Sequence, residues 1–303
     1  MAASVAALVR GADGSGRASW TGAHGPDAVV CWASVTKIFT AALCHALVDA
    51  GSLTSRSTVT ELVGVDAPPI MTVQNLVEHR AGAPVLPPGY SHLTEDNYGA
   101  WTAQRFDEQV MGRLADVATA VTPRSVPEYS NVGYAVLTRS LERAFRRPWI
   151  DLVREHVLAP VGVDPGAFAV GAPSSTVLPP AVRTLQARGR LRRRTLDDWD
   201  VTTGPFAGAG GLASTVPAMA DVLDRVLDQG GPLHPGRTPH AWSVDGARAG
   251  VQGALMRSGS IVLVDTDTRS VGVAHVAGGL PGWGDRLASR ALRRLVESTG
   301  ART

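Results

Sequence analysis

The sequence predicts an α+β fold in which an antiparallel sheet is flanked by helices and carries an inserted helical lobe. Three observations predict it. Strand-like segments occur at both ends of the chain, the middle resembles helices separated by prolines, and one helix near the N-terminus is apolar on nearly every face. Strands that pair beside a segregated group of helices are typical of this class. The 303 residues are enough for one large domain or two lobes.

The N-terminal segment predicts a hairpin followed by a buried helix. Residues 4–9 and 18–22 flank a Gly-rich turn, and the short apolar run 28–32 leads into Ser34. From Ser34 the pattern predicts a helix of about four and a half turns, ended by Gly51. Because this helix is apolar on nearly every face, we expect it at the centre of the molecule.

The middle of the chain, about residues 71–196, is predicted to be mostly helical, with prolines in the connections. After Gly204 a Gly-rich loop precedes an amphipathic helix, four strands and a last helix. We expect a single domain over 1–303, with an α/β lobe from 1–66 and 204–303 and a mainly helical lobe from 67–203. The predicted helices are 72–80, 103–119, 132–145, 149–158, 215–229 and 284–298, and the strands are 241–245, 251–256, 259–265 and 270–276.

Composition and charge exclude several classes of protein. The chain is 44% hydrophobic with a net charge of +2, so it can bury a core and has no dense basic face for nucleic acid. No run approaches the roughly 18 apolar residues of a membrane span. The N-terminus does not resemble a secretory signal, so a cytoplasmic protein is expected. Cys31 and Cys44 have no metal-type spacing, and no cofactor is expected.

Ser34 and Lys37 form the first candidate catalytic pair. Residues three apart on a helix share a face, so the Ser34 hydroxyl and the Lys37 ammonium can meet. A helix start also offers unpaired N–H groups that favour developing negative charge. Burial favours the use of a lysine as a base, and a serine needs an adjacent base to become a nucleophile. The spacing alone also fits a capping serine and a surface lysine, but this helix has no polar face for Lys37.

Tyr129 and Asn131 form the second candidate. A phenol near a lysine can shuttle a proton between a serine and a leaving group. The Asn131 amide can orient Lys37 and donate to a substrate carbonyl. Alone, the two residues also fit a turn tyrosine and an asparagine that caps the helix at 132–145.

Together, four segments resemble the class C β-lactamase and penicillin-binding-protein family of serine hydrolases. The resemblance runs from about residue 5 to 298 and implies a β-lactamase/transpeptidase-like fold with Ser34 as nucleophile and Lys37 and Tyr129 beside it. Related Ser-x-x-Lys enzymes carry Ser-Asp-Asn where this chain has Tyr129-Ser130-Asn131, which indicates the class C, esterase and D-aminopeptidase side of the family. The segments are CWASVTKIFTAALCHALVDAGSL, TVQNLVEHRAGAP, PEYSNVGYAVL and GAGGLASTVPAMADVL.

Family members carry a third motif, Lys-Thr-Gly or His-x-Gly, on a strand that lines the site. The strand context aligns Val251-Gln252-Gly253 with it, so that a valine replaces the cation. The alternative, His234-Pro235-Gly236, lies about 17 residues earlier and contains a proline, which a central strand disfavours. On the first alignment residues 251–253 contact the substrate, and the N–H groups of Ala254 and Ser34 form an oxyanion hole.

The resemblance implies acyl transfer through an ester on Ser34. With Val251 in place of a cation, a neutral ester, thioester or amide is favoured over a β-lactam or peptidoglycan carboxylate. An esterase-type hydrolase is the leading prediction. The alternatives are an acyltransferase to an amine or alcohol acceptor in secondary-metabolite biosynthesis, an inactive binding protein, and a β-lactamase or DD-peptidase. The expected partners are a small-molecule acyl donor and, for a transferase, its acceptor, without nucleic acid or membrane; the sequence defines no oligomeric state.

Other polar residues fit structural roles. His45 and His79 are expected to be ordinary helix histidines, and His275 a strand histidine. The basic run 188–194 predicts a solvated loop more than a patch for an acidic partner. Residues that could line the cleft or only pack at its rim are His92, Glu95, Asp96, Trp101 and Trp199.

Overall fold

The structure is a computed structural model, and it describes residues 3–90, 98–118, 122–124, 126–170, 182–188, 190–196, 201, 204–278 and 283–297. The strands are β1 (Ser4–Arg10), β2 (Gly16–Trp20), β3 (Val29–Cys31), β4 (Ala169–Val170), β5 (Val182–Arg188), β6 (Arg190–Leu196), β7 (Leu212–Thr215), β8 (Ser243–Asp245), β9 (Arg248–Ala254), β10 (Ser258–Asp265) and β11 (Ser270–Ala277). The helices are α1 (Thr36–Asp49), α2 (Val59–Val63), α3 (Val73–Val77), α4 (Ala103–Gln109), α5 (Leu114–Val117), α6 (Asn131–Phe145), α7 (Trp149–Val153), α8 (Ala207–Gly210), α9 (Val216–Gln229) and α10 (Gly284–Glu297).

Strands from both ends of the chain build the main sheet. Its order is β2-β1-β11-β10-β9-β8, and each neighbouring pair is antiparallel. His275 pairs with Ala6 on one side and with Ser260 on the other, and Ser260 pairs with Gly253. Because directly paired residues lie on the same face, this row of four faces the start of α1. The predicted antiparallel sheet flanked by helices is confirmed.

Helices cover both faces of the main sheet. On one face α10 packs Ala288 and Leu292 against a small apolar cluster that includes Ala7 and Ile261. On the other face α9 packs against β11 and β1, and α1 lies in the larger core. Ten of the 14 residues of α1 are buried, as expected for a central helix. Gly51, just beyond α1, has a φ of 69°, a left-handed conformation that ends the helix.

The middle of the chain departs from the prediction in two ways. β5 and β6 form an antiparallel pair, with Val182 opposite Leu196, where helices and a loop were predicted. Each strand satisfies the backbone groups of the other, a pairing that the pattern of either strand alone does not reveal. In addition, the predicted helix at 103–119 is divided into α4, a 3₁₀ turn at Met111–Arg113 and α5. Gly112 lies at that division, and glycine weakens a helix interior.

A second sheet of three strands, β3-β7-β4, joins the two predicted lobes of the sequence. It was not predicted, because β3 and β4 have only three and two residues. Within the described part of the chain, none of the helices has the length and apolar character needed to cross a bilayer.

Two histidines lie in contact beneath the start of α1. The Nε2 atom of His24 is 2.9 Å from Nδ1 of His275, and Nδ1 of His24 is 2.6 Å from Oγ of Ser4. The His275 ring also packs edge-on against Trp32. Burial lowers the pKa of His24 to about 4, and burial together with the neighbouring His24 lowers the pKa of His275 to about 3. The pair is therefore neutral at neutral pH.

Acid is expected to destabilise the protein through this pair. In the unfolded chain each histidine has a pKa near 6.5 and is protonated below that pH. In the folded protein the pKa values of the two histidines are lower, so between these values and pH 6.5 only the unfolded chain binds the protons. The free energy of unfolding should fall by about 1.4 kcal/mol per pH unit for each histidine, from pH 6.5 down to about 4. Urea unfolding at pH 7 and pH 5 measures this loss. A His24→Gln variant should show a shallower pH dependence, and an unchanged slope would contradict the assignment.

Candidate active site

The chain turns sharply between β3 and the residue that precedes α1. Trp32 is fully buried, its Nε1 donates to Ser214 Oγ at 2.8 Å, and its carbonyl accepts from Ser260 Oγ at 2.7 Å. The next residue, Ala33, has a φ of 49°. This left-handed conformation costs a non-glycine residue roughly 1 kcal/mol. The anchored Trp32 holds the turn, and Ser34 follows it at the entrance to α1.

Ser34, Lys37 and Tyr129 lie in hydrogen-bond contact. The Oγ atom of Ser34 is 2.6 Å from Oη of Tyr129, and Nζ of Lys37 donates to the same Oγ at 3.2 Å. Lys37 is 5% exposed, whereas Tyr129 is 43% exposed and faces the cleft. The structure thus brings together all three residues that the sequence predicts as catalytic.

Lys37 is held by two further acceptors. Its Nζ donates to Asn131 Oδ1 at 2.9 Å and to the carbonyl oxygen of Ala209 at 2.6 Å. With Ser34 Oγ these give Nζ three hydrogen-bond partners, two of which, the Asn131 and Ala209 oxygens, can only accept. The contact to Ala209 was not predicted. The only signal for it is the glycine-rich composition of 207–211, which lets a backbone approach another element closely.

Asn131 is oriented from both ends of its amide. Its Oδ1 accepts from Lys37, and its Nδ2 donates to Oη of Tyr98 at 2.9 Å. Burial raises the pKa of the Tyr98 phenol, so this tyrosine stays neutral. The sequence predicts that the Asn131 amide donates to a substrate, but one of its N–H groups is already used by Tyr98. Ser130, rather than Asn131, caps α6 by accepting from Gly133 N at 2.7 Å.

Gly253 brings β9 against the backbone of Ser34. A Cβ at Gly253 would lie 2.9 Å from Ser34 N, so no other residue fits without a shift of the strand. Opposite residues of an antiparallel ladder alternate between hydrogen-bonded and non-hydrogen-bonded pairs. Leu255 N donates to Ser258 O at 3.0 Å, so this pair is hydrogen-bonded and fixes which β9–β10 pairs are of each kind. Gly253 is then in a hydrogen-bonded pair, whereas the N–H of Ala254 points away from β10. Ala254 and Ser34 line one small pocket, where their two N–H groups can receive an oxyanion.

Val251 occupies the strand position beside the nucleophile. It is on the same face of β9 as Gly253, and it lines the same cleft as Ser34. The side chain of Gln252 is on the opposite face, where its Nε2 donates to Oγ of Ser289 on α10 at 3.0 Å. An apolar side chain therefore lies at this position of the cleft wall.

The alternative third motif, His234-Pro235-Gly236, lies in the turn between α9 and β8. Nδ1 of His234 accepts from Gly236 N at 3.1 Å, which closes this turn on itself. Among the described residues that line the cleft, His234 is absent.

The cleft in front of Ser34 has a volume of about 650 Å³. Ser34, Lys37 and Tyr129 lie at its base, and β8, β9 and the turn before β8 form the opposite wall. The wall includes His240, Ala241, Trp242, Ser243, Asp245, Arg248 and Val251. Trp101 is not among them, because it is fully buried against Phe106 and Phe206. The remaining rim candidates, His92, Glu95, Asp96 and Trp199, lie outside the described residues.

His79 lines the cleft, although the sequence suggests an ordinary helix histidine. The predicted helix at 72–80 ends at Val77, and His79 has a left-handed φ of 58°. Burial, and then the charge of Lys37, lowers the pKa of His79 to about 4, so the ring is neutral near pH 7. Nothing in the local sequence indicates this position, because the segment that His79 contacts is about 50 residues further along the chain.

The fold and the geometry around Ser34 define a protein of the β-lactamase/transpeptidase type. A family model described as Beta-lactamase matches residues 2–296. The chain therefore belongs to the Beta-lactamase family, as its motifs suggest.

Several known proteins are similar to this chain. It is 27% identical over 143 residues to penicillin-binding protein 4 of Amycolatopsis lactamdurans, a match that covers 45% of this chain and 35% of that protein. The matched region thus spans about a third of the length of this curated relative. The D-amino acid amidase of Ochrobactrum anthropi SV3, solved with D-phenylalanine, has a TM-score of 0.75 at 20% identity and covers 98% of this chain and 94% of that chain. A β-lactamase/D-alanine carboxypeptidase of Yersinia pestis, solved with citrate, has a TM-score of 0.71 at 17% identity. This match covers 98% of this chain and 93% of that chain. The two solved structures share the fold.

Proposed function

We propose that the protein is a serine hydrolase that forms an acyl-enzyme on Ser34 from a neutral ester, thioester or amide. The observation that carries the proposal is the contact of Ser34 Oγ with both Tyr129 Oη and Lys37 Nζ, at 2.6 and 3.2 Å, at the base of an open cleft. A serine needs this kind of partner to become a nucleophile, because its hydroxyl is a weak nucleophile by itself.

In the first half of the reaction, Ser34 Oγ forms a bond to the carbonyl carbon of the substrate. The hydroxyl proton passes to the Lys37–Tyr129 pair, and the carbonyl oxygen becomes an oxyanion that accepts from Ser34 N and Ala254 N. When the tetrahedral intermediate collapses, the bond from carbon to the leaving group breaks. The leaving group takes the proton back from the pair, and an ester on Ser34 remains.

In the second half, a water molecule attacks the Ser34 ester and gives up a proton to the same pair. The bond from carbon to Oγ breaks, Ser34 recovers its proton, and the free acid leaves. An amine or alcohol that enters the same cleft would attack in the same way and leave as an amide or ester. Transfer to such an acceptor is the alternative activity, and it uses the same residues.

Val251 supports a neutral substrate. Recognition of a carboxylate beside the nucleophile normally requires a charged hydrogen-bond donor, and an apolar wall would leave that carboxylate without a partner. The charged wall residues Asp245 and Arg248 are of opposite sign, and Arg248 is engaged with Asp265 at 3.3 Å. The names of the two similar solved proteins, an amidase and a carboxypeptidase, support attack on an acyl group in general.

Covalent labelling tests the proposal. Wild-type protein treated with p-nitrophenyl acetate or with a fluorophosphonate should gain one adduct on Ser34 in intact-mass spectra, and Ser34→Ala should gain none. Ser130→Ala is a matched control, because it removes a neighbouring hydroxyl that caps α6 and does not contact Ser34. No adduct on the wild-type protein with either reagent would contradict the proposal and favour a binding protein.

Product analysis then separates the two activities. With added amines or alcohols, a hydrolase gives the free acid throughout, whereas an acyltransferase diverts the acyl group to the acceptor.

A further inference from the structure

We infer that His79 is a positioning residue for Tyr129, acting on both its backbone and its ring; this inference rests on the proposed function of Ser34. Tyr129 is 43% exposed and lines the cleft, so its phenol needs support to stay 2.6 Å from Ser34 Oγ. His79 supplies that support through contacts on each side of it.

The first contacts are to the backbone. The carbonyl oxygen of His79 accepts from Glu128 N at 2.9 Å, and its Nδ1 accepts from Ser130 N at 3.0 Å. These two amides belong to the residues immediately before and after Tyr129. One residue therefore holds the tyrosine segment at two points, and the Cα position of Tyr129 is set between them.

The next contact is between rings. The His79 ring centroid lies 4.8 Å from that of Tyr129 and 5.0 Å from that of the buried Tyr134. The His79 ring is tilted by 40° to the Tyr129 ring and by 39° to the Tyr134 ring, so it contacts both the cleft tyrosine and a buried tyrosine of α6. The Nζ atom of Lys37 also lies close to the Tyr129 ring, 4.9 Å from its centroid. Ring packing at these distances restricts the orientation of the Tyr129 ring.

The ring must be neutral to act in this way. Because Nδ1 accepts from Ser130 N, the proton of the neutral imidazole is on Nε2. Burial and the nearby Lys37 charge both disfavour a second proton on the ring. A doubly protonated ring would have no acceptor for the Ser130 amide.

The left-handed backbone of His79 determines which variants are informative. Glycine adopts a φ of 58° without strain, and asparagine tolerates it better than most residues. His79→Gly therefore removes the ring and the Nδ1 acceptor without strain. His79→Asn removes the ring but places Oδ1 near the position of Nδ1, where it can still accept from Ser130 N.

Kinetics with p-nitrophenyl acetate test the inference. His79→Gly should lower kcat about 100-fold with KM within about twofold of wild type, because a misplaced catalytic group loses rate without losing binding. His79→Asn should recover to within about tenfold of wild type. His156→Asn, which replaces a histidine outside the cleft, is the matched control and should leave kcat unchanged.

A double-mutant cycle separates positioning from a general structural role. In a Tyr129→Phe background, His79→Gly should change kcat by less than about threefold, because the group it positions is gone. A loss of similar size in both backgrounds, or a His79→Gly kcat within about threefold of wild type, would overturn the inference. If His79→Gly is unfolded by circular dichroism, the His79→Asn and Tyr129→Phe pair provides the same cycle.

Fluorophosphonate labelling keeps this inference distinct from the proposed function. Wild-type protein that labels at Ser34, together with His79→Gly that labels equally fast, overturns only the role of His79. Wild-type protein that fails to label removes the basis of both.

Discussion

Lys37→Met is expected to fold and to lose about 10³- to 10⁴-fold in kcat/KM, the size of effect seen when one member of a nucleophile–base unit is removed. Nζ of Lys37 is one of two groups that contact Ser34 Oγ among the described residues, and it also orients Asn131. Methionine has a similar length and no N–H group. The variant therefore deletes the proton-transfer partner with little change in packed volume.

Lys37→Arg distinguishes a base from a fixed charge. Lys37 is the only lysine in the sequence. Arginine keeps the charge but does not give up its proton in proteins. Loss of activity in both variants is expected if Lys37 moves protons, whereas near-wild-type activity in Lys37→Arg would show that the charge alone is sufficient. Urea midpoints of both variants check folding. In Lys37→Met the Ala209 carbonyl loses its hydrogen-bond donor, which should lower the free energy of unfolding by about 1–3 kcal/mol.

Gly253→Ala is expected to lower kcat by about 10²- to 10³-fold, the range observed for loss of one oxyanion-hole donor. A Cβ at this position would lie 2.5 Å from the carbonyl oxygen of Trp32 and 2.9 Å from Ser34 N. Both neighbours are backbone, and Trp32 is fully buried, so β9 must move instead. Movement of β9 separates the N–H of Ala254 from that of Ser34.

Two measurements test this expectation. The rate of acylation of Gly253→Ala by p-nitrophenyl acetate should fall, and its urea midpoint should decrease, because both the oxyanion hole and the contact with Trp32 are disturbed. Gly25→Ala is the matched control, since a Cβ there meets nothing within 4 Å. Wild-type acylation in Gly253→Ala would contradict the role of β9 in the site.

Local pattern was sufficient for the elements that carry the nucleophile and its base. The run from Ser34 is apolar on nearly every face, so it had to be buried, and a lysine within it had to meet polar groups there. The hairpin of β1 and β2 and the strands after Gly204 follow from short apolar runs and turn residues. In each case one short segment contains the whole signal.

Pattern was not sufficient where the partner is distant in the chain. The segment at 182–196 forms paired strands whose register depends on a second strand, not on the residues of one. Similarly, His79 resembles a helix histidine until the tyrosine segment packs against it. The sequence does not indicate the left-handed backbone conformation of His79, because that conformation is usually signalled by a glycine or an asparagine and here the residue is a histidine.

The sequence by itself determined the fold class, the central position of α1, and the residues that meet at the site: Ser34, Lys37 and Tyr129. Spacing on one helix and a recognisable motif are local properties, and they survive without knowledge of the rest of the chain. Only the tertiary structure decided what surrounds them. The Ala209 carbonyl, the Tyr98 hydroxyl and the His79 ring come from three distant segments, and backbone groups and ordinary side chains at such distances acquire their roles only when packing brings them together.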